Sequence, residues 1–136
     1  MAGKKEKKKI VACGQEYALP DMLTADGLFR AKVVYLILSK DTDEALKLLS
    51  SHYGVVAPKL KVGMPKRYSK NPACYVHKNM TIHVSRREIL WNPHVILHEF
   101  YHHLRSVTDA HGGIEKYADS FAKNYLEAYQ RITSTT

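Results

Sequence analysis

The spacing of hydrophobic residues predicts two helices in the first half of the chain. A first helix, capped by Thr24 or Asp26, is predicted to run to about Ser39, although its β-branched residues also allow a strand. A second helix is indicated by Asp41 followed three residues later by Glu44, which fits a capping box, and by Gly54 where a C-terminal cap belongs. We therefore expect a pair of helices ahead of any sheet.

The middle of the chain changes to the two-residue period of strands. Residues 55–62 alternate from Pro58 onward, and a proline suits an edge strand better than a central one. Residues 74–77 and 80–84 flank a polar turn, which is typical of a hairpin. These segments predict a small antiparallel sheet of about three strands.

The last third of the chain returns to the helical period. Asn92 is a favoured cap residue directly before Pro93, so a helix is predicted from Pro93 to about Ser106. Its apolar residues cover most of its circumference, which is typical of a central, buried helix. A turn at 109–113 and a final helix over 114–132 follow. The predicted fold class is α+β, with N-terminal helices, a small antiparallel sheet and two C-terminal helices.

Length and composition are those of one ordinary globular domain. The chain has 136 residues, 45% of them hydrophobic and 25% charged, which excludes disordered, collagen-like and disulfide-scaffold classes. The net charge is +8, and the Lys-Lys-Glu-Lys-Lys-Lys run at 4–9 carries half of it. We interpret residues 1–9 as a basic, disordered tail and residues 10–136 as a single, mildly basic domain.

Cysteine content and hydropathy favour a cytoplasmic protein. Cys13 and Cys74 form no CxxC motif and are expected to be buried thiols in a reducing compartment. The longest apolar run, at 33–38, is far shorter than the roughly 20 residues that span a bilayer. Residues 1–20 lack the apolar stretch of a signal peptide. No membrane partner is expected.

One motif in the predicted central helix carries chemistry. His98-Glu99-Phe100-Tyr101-His102 matches the His-Glu-x-x-His zinc signature. Imidazoles four positions apart lie on one helix face, about 6 Å apart along the axis, so both can bind one ion. Glu99, one step round the helix, is placed to hold a metal-bound water and to act as general base. Because burying these polar groups without a partner is costly, we expect a Zn²⁺ site.

A metal held by two histidines needs a third protein ligand, and three residues are candidates. Asp109 and His111 lie in the predicted turn, where either can point inward. Glu115 lies in the first turn of the final helix, four residues before Asp119, so the two carboxylates share a face. One can bind the metal while the other accepts the second N–H of an imidazole. We favour Glu115, because a helix holds a ligand more firmly than a turn, with His111 and Asp109 as alternatives.

The two C-terminal helices resemble those of the gluzincin metallopeptidases. The resemblance rests on His98-Glu99-x-x-His102-His103-Leu104 followed by Glu115-x-x-Ala118-Asp119-x-Phe121-Ala122. The order of elements is similar to the minigluzincins and to SprT-like and ImmA/IrrE-like peptidase domains. Relatives of the last kind usually carry an acidic residue where this chain has Tyr117.

The resemblance implies a zincin-like fold and peptide hydrolysis at Zn²⁺. It implies His98, His102 and Glu115 as ligands and Asp119 as the support of a zinc-bound histidine. In similar enzymes an extended peptide pairs with an edge strand above the active-site helix, here expected at 80–84. The donor that stabilises the oxyanion is open among several aromatic residues: Tyr75, His77, His83, Tyr117 and Tyr125. His94 is about 12 Å from His102 along the helix axis, too far to share its ion, and is expected at the cleft mouth.

Two functions from different classes follow. The leading hypothesis is a zinc metalloendopeptidase with a peptide or protein substrate and Glu99 as general base. The alternative is a DNA-binding or regulatory protein with a structural zinc. The lysine tail and the basic residues of the later loops favour this alternative, namely Lys66, Arg67, Lys70, Arg86 and Arg87. A third hypothesis combines them in a protease that is brought to proteins bound on DNA.

Overall fold

The computed structural model describes residues 25–109 and 113–134 of the chain. Within these ranges it contains helices α1 (Ala25–Leu38), α2 (Thr42–Tyr53), α3 (Pro93–Asp109) and α4 (Glu115–Ser134), and strands β1 (Lys59–Val62), β2 (Ala73–Val76) and β3 (Thr81–Val84). Three short 3-10 turns, Lys66–Tyr68, His77–Asn79 and Arg87–Trp91, join them. The α+β class is therefore confirmed. The basic tail, Cys13, Thr24 and His111 lie outside the described residues.

The helix ends agree with the sequence signals, with one exception. Gly54 follows α2 at φ 69°, and its N–H reaches the carbonyls of Ser50 and Ser51, as expected of a left-handed C-cap. At α3, the side chain of Asn92 accepts a hydrogen bond from the Val95 N–H at 3.3 Å. Asp41 precedes α2 as predicted, but its side chain makes no capping hydrogen bond, so the predicted capping box is not formed.

The sheet is mixed rather than antiparallel. β2 and β3 form the predicted antiparallel pair, with Ala73 opposite Val84. β1 pairs in parallel with the other side of β3, with Lys59 opposite Thr81, which gives the order β1-β3-β2. The loop over 63–72 carries the chain past the sheet, so that β3 returns between the two earlier strands. β1 is an edge strand, as Pro58 predicts, whereas β3 is the central strand.

Helix α3 occupies the centre of the molecule. Ile96, Leu97 and Phe100 are completely buried, and α3 packs against β2 and β3 of the sheet as well as α4. Helix α1 packs along α4 and α2 and closes the core from the other side. The hydroxyls of Tyr53 and Tyr125, 2.7 Å apart, join α2 to α4. The prediction of a central, buried helix that carries the motif is thus confirmed.

No helix within 25–109 and 113–134 combines the length and the apolar character needed to cross a membrane.

Candidate metal centre

Two helices place a row of imidazoles opposite a row of carboxylates. Helix α3 carries His94, His98 and His102 at intervals of four residues, and α4 carries Glu115 and Asp119 at the same interval. Residues at this interval share one helix face. Each carboxylate lies next to two successive imidazoles. Glu115 contacts His98 and His102, whereas Asp119, one turn later on α4, contacts His94 and His98, one turn earlier on α3. The two helices are therefore antiparallel.

The connection between the helices depends on a glycine. Gly113 lies just before α4 at φ 75°, a left-handed conformation that L side chains rarely adopt. A Cβ atom at this position would lie 2.5 Å from the ring of Tyr101 on α3. The close approach at Gly113 lets α4 begin beside α3, which brings Glu115 to the histidine face.

The predicted ligands His98, His102 and Glu115 meet at one point. The Nε2 atom of His98 lies 2.8 Å from Oε1 of Glu115, and that of His102 lies 2.9 Å from Oε2. One donor atom from each residue lies within 4.8 Å of the others, so the set could hold a metal ion. A tetrahedral ion with bonds of about 2.0–2.1 Å needs donors about 3.3 Å apart. This separation is close to the 2.8 and 2.9 Å between the imidazole nitrogens and the Glu115 oxygens. Imidazole and carboxylate donors fit zinc and its neighbours better than calcium or magnesium.

Of the three candidates for the third ligand, Glu115 is the one whose side chain the structure describes. It meets both imidazoles of the motif. The side chain of Asp109 and all of His111 lie outside the described residues.

Asp119 lies behind the first imidazole. Its Oδ1 atom is 2.9 Å from Nδ1 of His98, on the opposite side of the ring from Glu115. A carboxylate in this position accepts the Nδ1–H proton and leaves the Nε2 lone pair directed toward Glu115. This is the arrangement predicted for Asp119 from its spacing to Glu115.

Glu99 is buried next to the ligand set. Its side chain faces a cleft of about 620 Å³ that His102 and Glu115 also line. Burial raises the pKa of the Glu99 carboxyl, and the negative charge of Glu115 raises it further, while the imidazoles of His98 and His102 lower it. A carboxyl with a raised pKa accepts a proton more readily, which suits a general base.

The cleft opens along β2 rather than β3. Ala73, Cys74 and Tyr75 of β2 line it, together with His77. β2 pairs with β3 on one side and with no other strand of the described sheet. The expected docking of a peptide on 80–84 is therefore wrong, because β3 is central and both of its edges are already hydrogen-bonded. Local pattern shows that a strand exists but not which neighbours it takes.

The expected oxyanion donors separate into two groups. Tyr75 and His77 line the cleft. His83 and Tyr125 are buried and hydrogen-bonded elsewhere, to the Gly63 carbonyl and to Tyr53, and neither lines the cleft. The fifth candidate, Tyr117, is 56% exposed and also lies outside the cleft lining.

His103 is a structural residue that the motif analysis did not single out. It is completely buried, its Nε2 atom lies 2.7 Å from the Val56 carbonyl, and its Nδ1 atom lies 2.8 Å from the Tyr75 hydroxyl. Since a carbonyl only accepts, Nε2–H donates to Val56 and Nδ1 accepts from Tyr75. Burial lowers the pKa of His103, which keeps the ring neutral and consistent with this tautomer. His103 thereby ties β2, at the cleft, to α3.

No protein-family model, curated protein or solved structure matches this chain.

Proposed function

We propose that the protein is a zinc-dependent metallopeptidase that hydrolyses peptide bonds. The proposal rests on one observation: His98, His102 and Glu115 converge beside the buried carboxyl of Glu99, in an open cleft. The ligand set has two neutral donors and one anion, and a structural zinc site in a protein usually has four protein ligands. A zinc ion held by these three residues would keep a position for water, as catalytic zinc sites do.

Glu99 is the residue that moves the proton. A zinc ion held by His98, His102 and Glu115 would act as a Lewis acid and would activate water for attack. Glu99 accepts the proton of the attacking water and delivers it to the departing amine. Asp119 holds the His98 ring in the orientation that directs Nε2 toward Glu115.

The substrate is proposed to bind as an extended peptide along β2. Unpaired main-chain groups on the outer edge of a strand can add one more strand by hydrogen bonding, which gives affinity without requiring a particular sequence. Ala73, Cys74 and Tyr75 of β2 line the cleft that contains Glu99, which supports this strand as the docking position.

The decisive experiment replaces Glu99 with Gln, which keeps the size of the side chain and removes the base. We expect the variant to retain the zinc content of the wild type and to lose cleavage of an unstructured protein such as casein by about 10²–10⁴-fold. The control is Glu88→Gln, an exposed carboxylate outside the cleft. Full cleavage by Glu99→Gln, or no cleavage by zinc-loaded wild type against a broad peptide library, would reject the proposal.

A second candidate function is nucleic-acid binding. It is favoured by the exposed basic residues on the loops around the sheet: Lys66, Arg67, Lys70, Arg86 and Arg87. Binding through phosphate contacts weakens steeply with salt. On this hypothesis, deleting residues 1–9 removes most of the DNA affinity. If the protein also has peptidase activity, DNA binding would direct the enzyme to proteins on DNA. A full-length protein that shows no measurable DNA binding at low salt rules this function out.

A further inference from the structure

The row of histidines extends one turn beyond the zinc-signature motif. His94 precedes His98 by four residues, and its Nε2 atom lies 3.5 Å from Oδ1 of Asp119. The same carboxylate oxygen lies 2.9 Å from Nδ1 of His98. Donor atoms of His94, His98 and Asp119 all lie within 4.8 Å of one another. This outer set therefore repeats, one turn away, the two-histidine, one-carboxylate composition of the first set.

We propose that His94 and Asp119, with the Nδ1 edge of His98, form a second binding site for a transition-metal ion. The proposed hydrolytic reaction assigns no role to His94, so the second site goes beyond that function. Imidazole nitrogens and a carboxylate oxygen select zinc, cobalt, nickel or copper over magnesium and calcium. We call this set the outer site and the set of His98, His102 and Glu115 the inner site.

The outer site is open to solvent. The side chains of His94 and Asp119 are 44% and 54% exposed, whereas those of His98 and His102 are 15% and 13% exposed. An ion can therefore reach the outer site directly from water and complete its coordination with water molecules. Such a site is expected to bind more weakly than the inner one, because fewer protein ligands are held in place by packing.

The two sites are coupled through His98. When Nε2 of His98 binds an ion in the inner site, Nδ1 carries the proton that it donates to Asp119. An ion that binds in the outer site while the inner site is filled is held by His94 and Asp119, because the protonated Nδ1 of His98 has no free lone pair. This ion draws the Asp119 carboxylate away from the hydrogen bond to His98. Loss of a carboxylate that supports a metal-bound histidine weakens metal binding by about 10–100-fold. By linkage, the second ion is then disfavoured by the same factor when the inner site is filled.

The test is a titration of the metal-free, full-length protein with Co²⁺, followed by visible absorbance and by calorimetry. We expect two equivalents to bind the wild type in separate phases, the second weaker by at least the coupling factor of about 10–100, because the outer site is also intrinsically weaker. His94→Gln is expected to bind one equivalent, with the tight phase unchanged. His52→Gln, which removes an exposed imidazole on α2 that belongs to neither set, serves as the matched control and keeps both phases.

The variants also separate this inference from the proposed function. Glu115→Gln damages the inner site alone and should leave one weak equivalent, which His94→Asn in the same chain removes. A wild type that binds a single equivalent, or a His94→Gln variant that still binds two, overturns the outer site. The readout for the outer site is metal stoichiometry, which does not depend on peptide cleavage. Two bound ions without cleavage would support the outer site and reject the peptidase. One bound ion with cleavage would support the peptidase and reject the outer site. Unchanged circular dichroism of each variant verifies that its fold is intact.

Discussion

Replacing Asp119 with Asn is expected to weaken zinc binding at the inner site without abolishing it. Asparagine keeps an oxygen where Oδ1 now lies, 2.9 Å from Nδ1 of His98, but removes the negative charge. A hydrogen bond to a charged group contributes about 1.5–3 kcal/mol, and the lower part of this range applies because Asp119 is 54% exposed. At about 1.4 kcal/mol per factor of ten, the expected loss of zinc affinity is about 10- to 30-fold.

Competition with a chromophoric zinc chelator measures this loss in the tightest binding phase. Glu127→Gln, an exposed charge removal on the same helix, is the matched control and is expected to leave the affinity unchanged. Glu115→Gln, which changes a proposed direct ligand, is expected to lose far more zinc affinity than Asp119→Asn. The reasoning fails if Asp119→Asn binds zinc as tightly as wild type, since the hydrogen bond to His98 then has no effect. It fails equally if Asp119→Asn is as weak as Glu115→Gln, since Asp119 would then be a ligand itself.

Two further predictions concern the scaffold. His103→Leu leaves the Val56 carbonyl and the Tyr75 hydroxyl without their partner on α3, and should lower the free energy of unfolding in urea by about 1–3 kcal/mol. A change below about 0.5 kcal/mol would contradict the assigned hydrogen bonds. Gly113→Ala should lower the melting temperature more than Gly54→Ala. Both glycines have a positive φ, but only at Gly113 would a Cβ atom contact an aromatic ring, that of Tyr101. Equal decreases in melting temperature would contradict the close approach at Gly113.

Hydrophobic spacing and cap residues predicted the helices well because both are local properties. Asn92 before Pro93, and Gly54 after a helical stripe, depend on the conformation of a few neighbouring residues. Strand pairing is not local. β1 is four residues long, and whether it lies parallel to β3 or antiparallel to β2 depends on the path of the loop over 63–72, which no periodicity in that loop specifies. The strand over 80–84 was therefore found, while its central position was not.

The candidate site also combines features that are local in the sequence with one that is not. The spacing of His98 and His102 fixes one face of α3, and the spacing of Glu115 and Asp119 fixes one face of α4, so both pairs could be read from the sequence. The sequence does not specify how far α4 is shifted along the axis of α3. The spacing along α3 shows that His94 cannot reach an ion bound by His102, but its approach to Asp119 depends on how far α4 is shifted along α3.

The antiparallel packing of α3 and α4 also limits the number of metal sites along their contact. Each step of four residues forward on α4 matches a step of four backward on α3, so Glu115 lies between His102 and His98, and Asp119 between His98 and His94. The next position on α4 is Lys123, whose ammonium group repels a cation and ends the series in that direction. In the other direction the position after His102 is Ser106, a hydroxyl rather than an imidazole. Three imidazoles and two carboxylates therefore form two overlapping groups that could hold a metal ion, and His98 is the imidazole that both groups share.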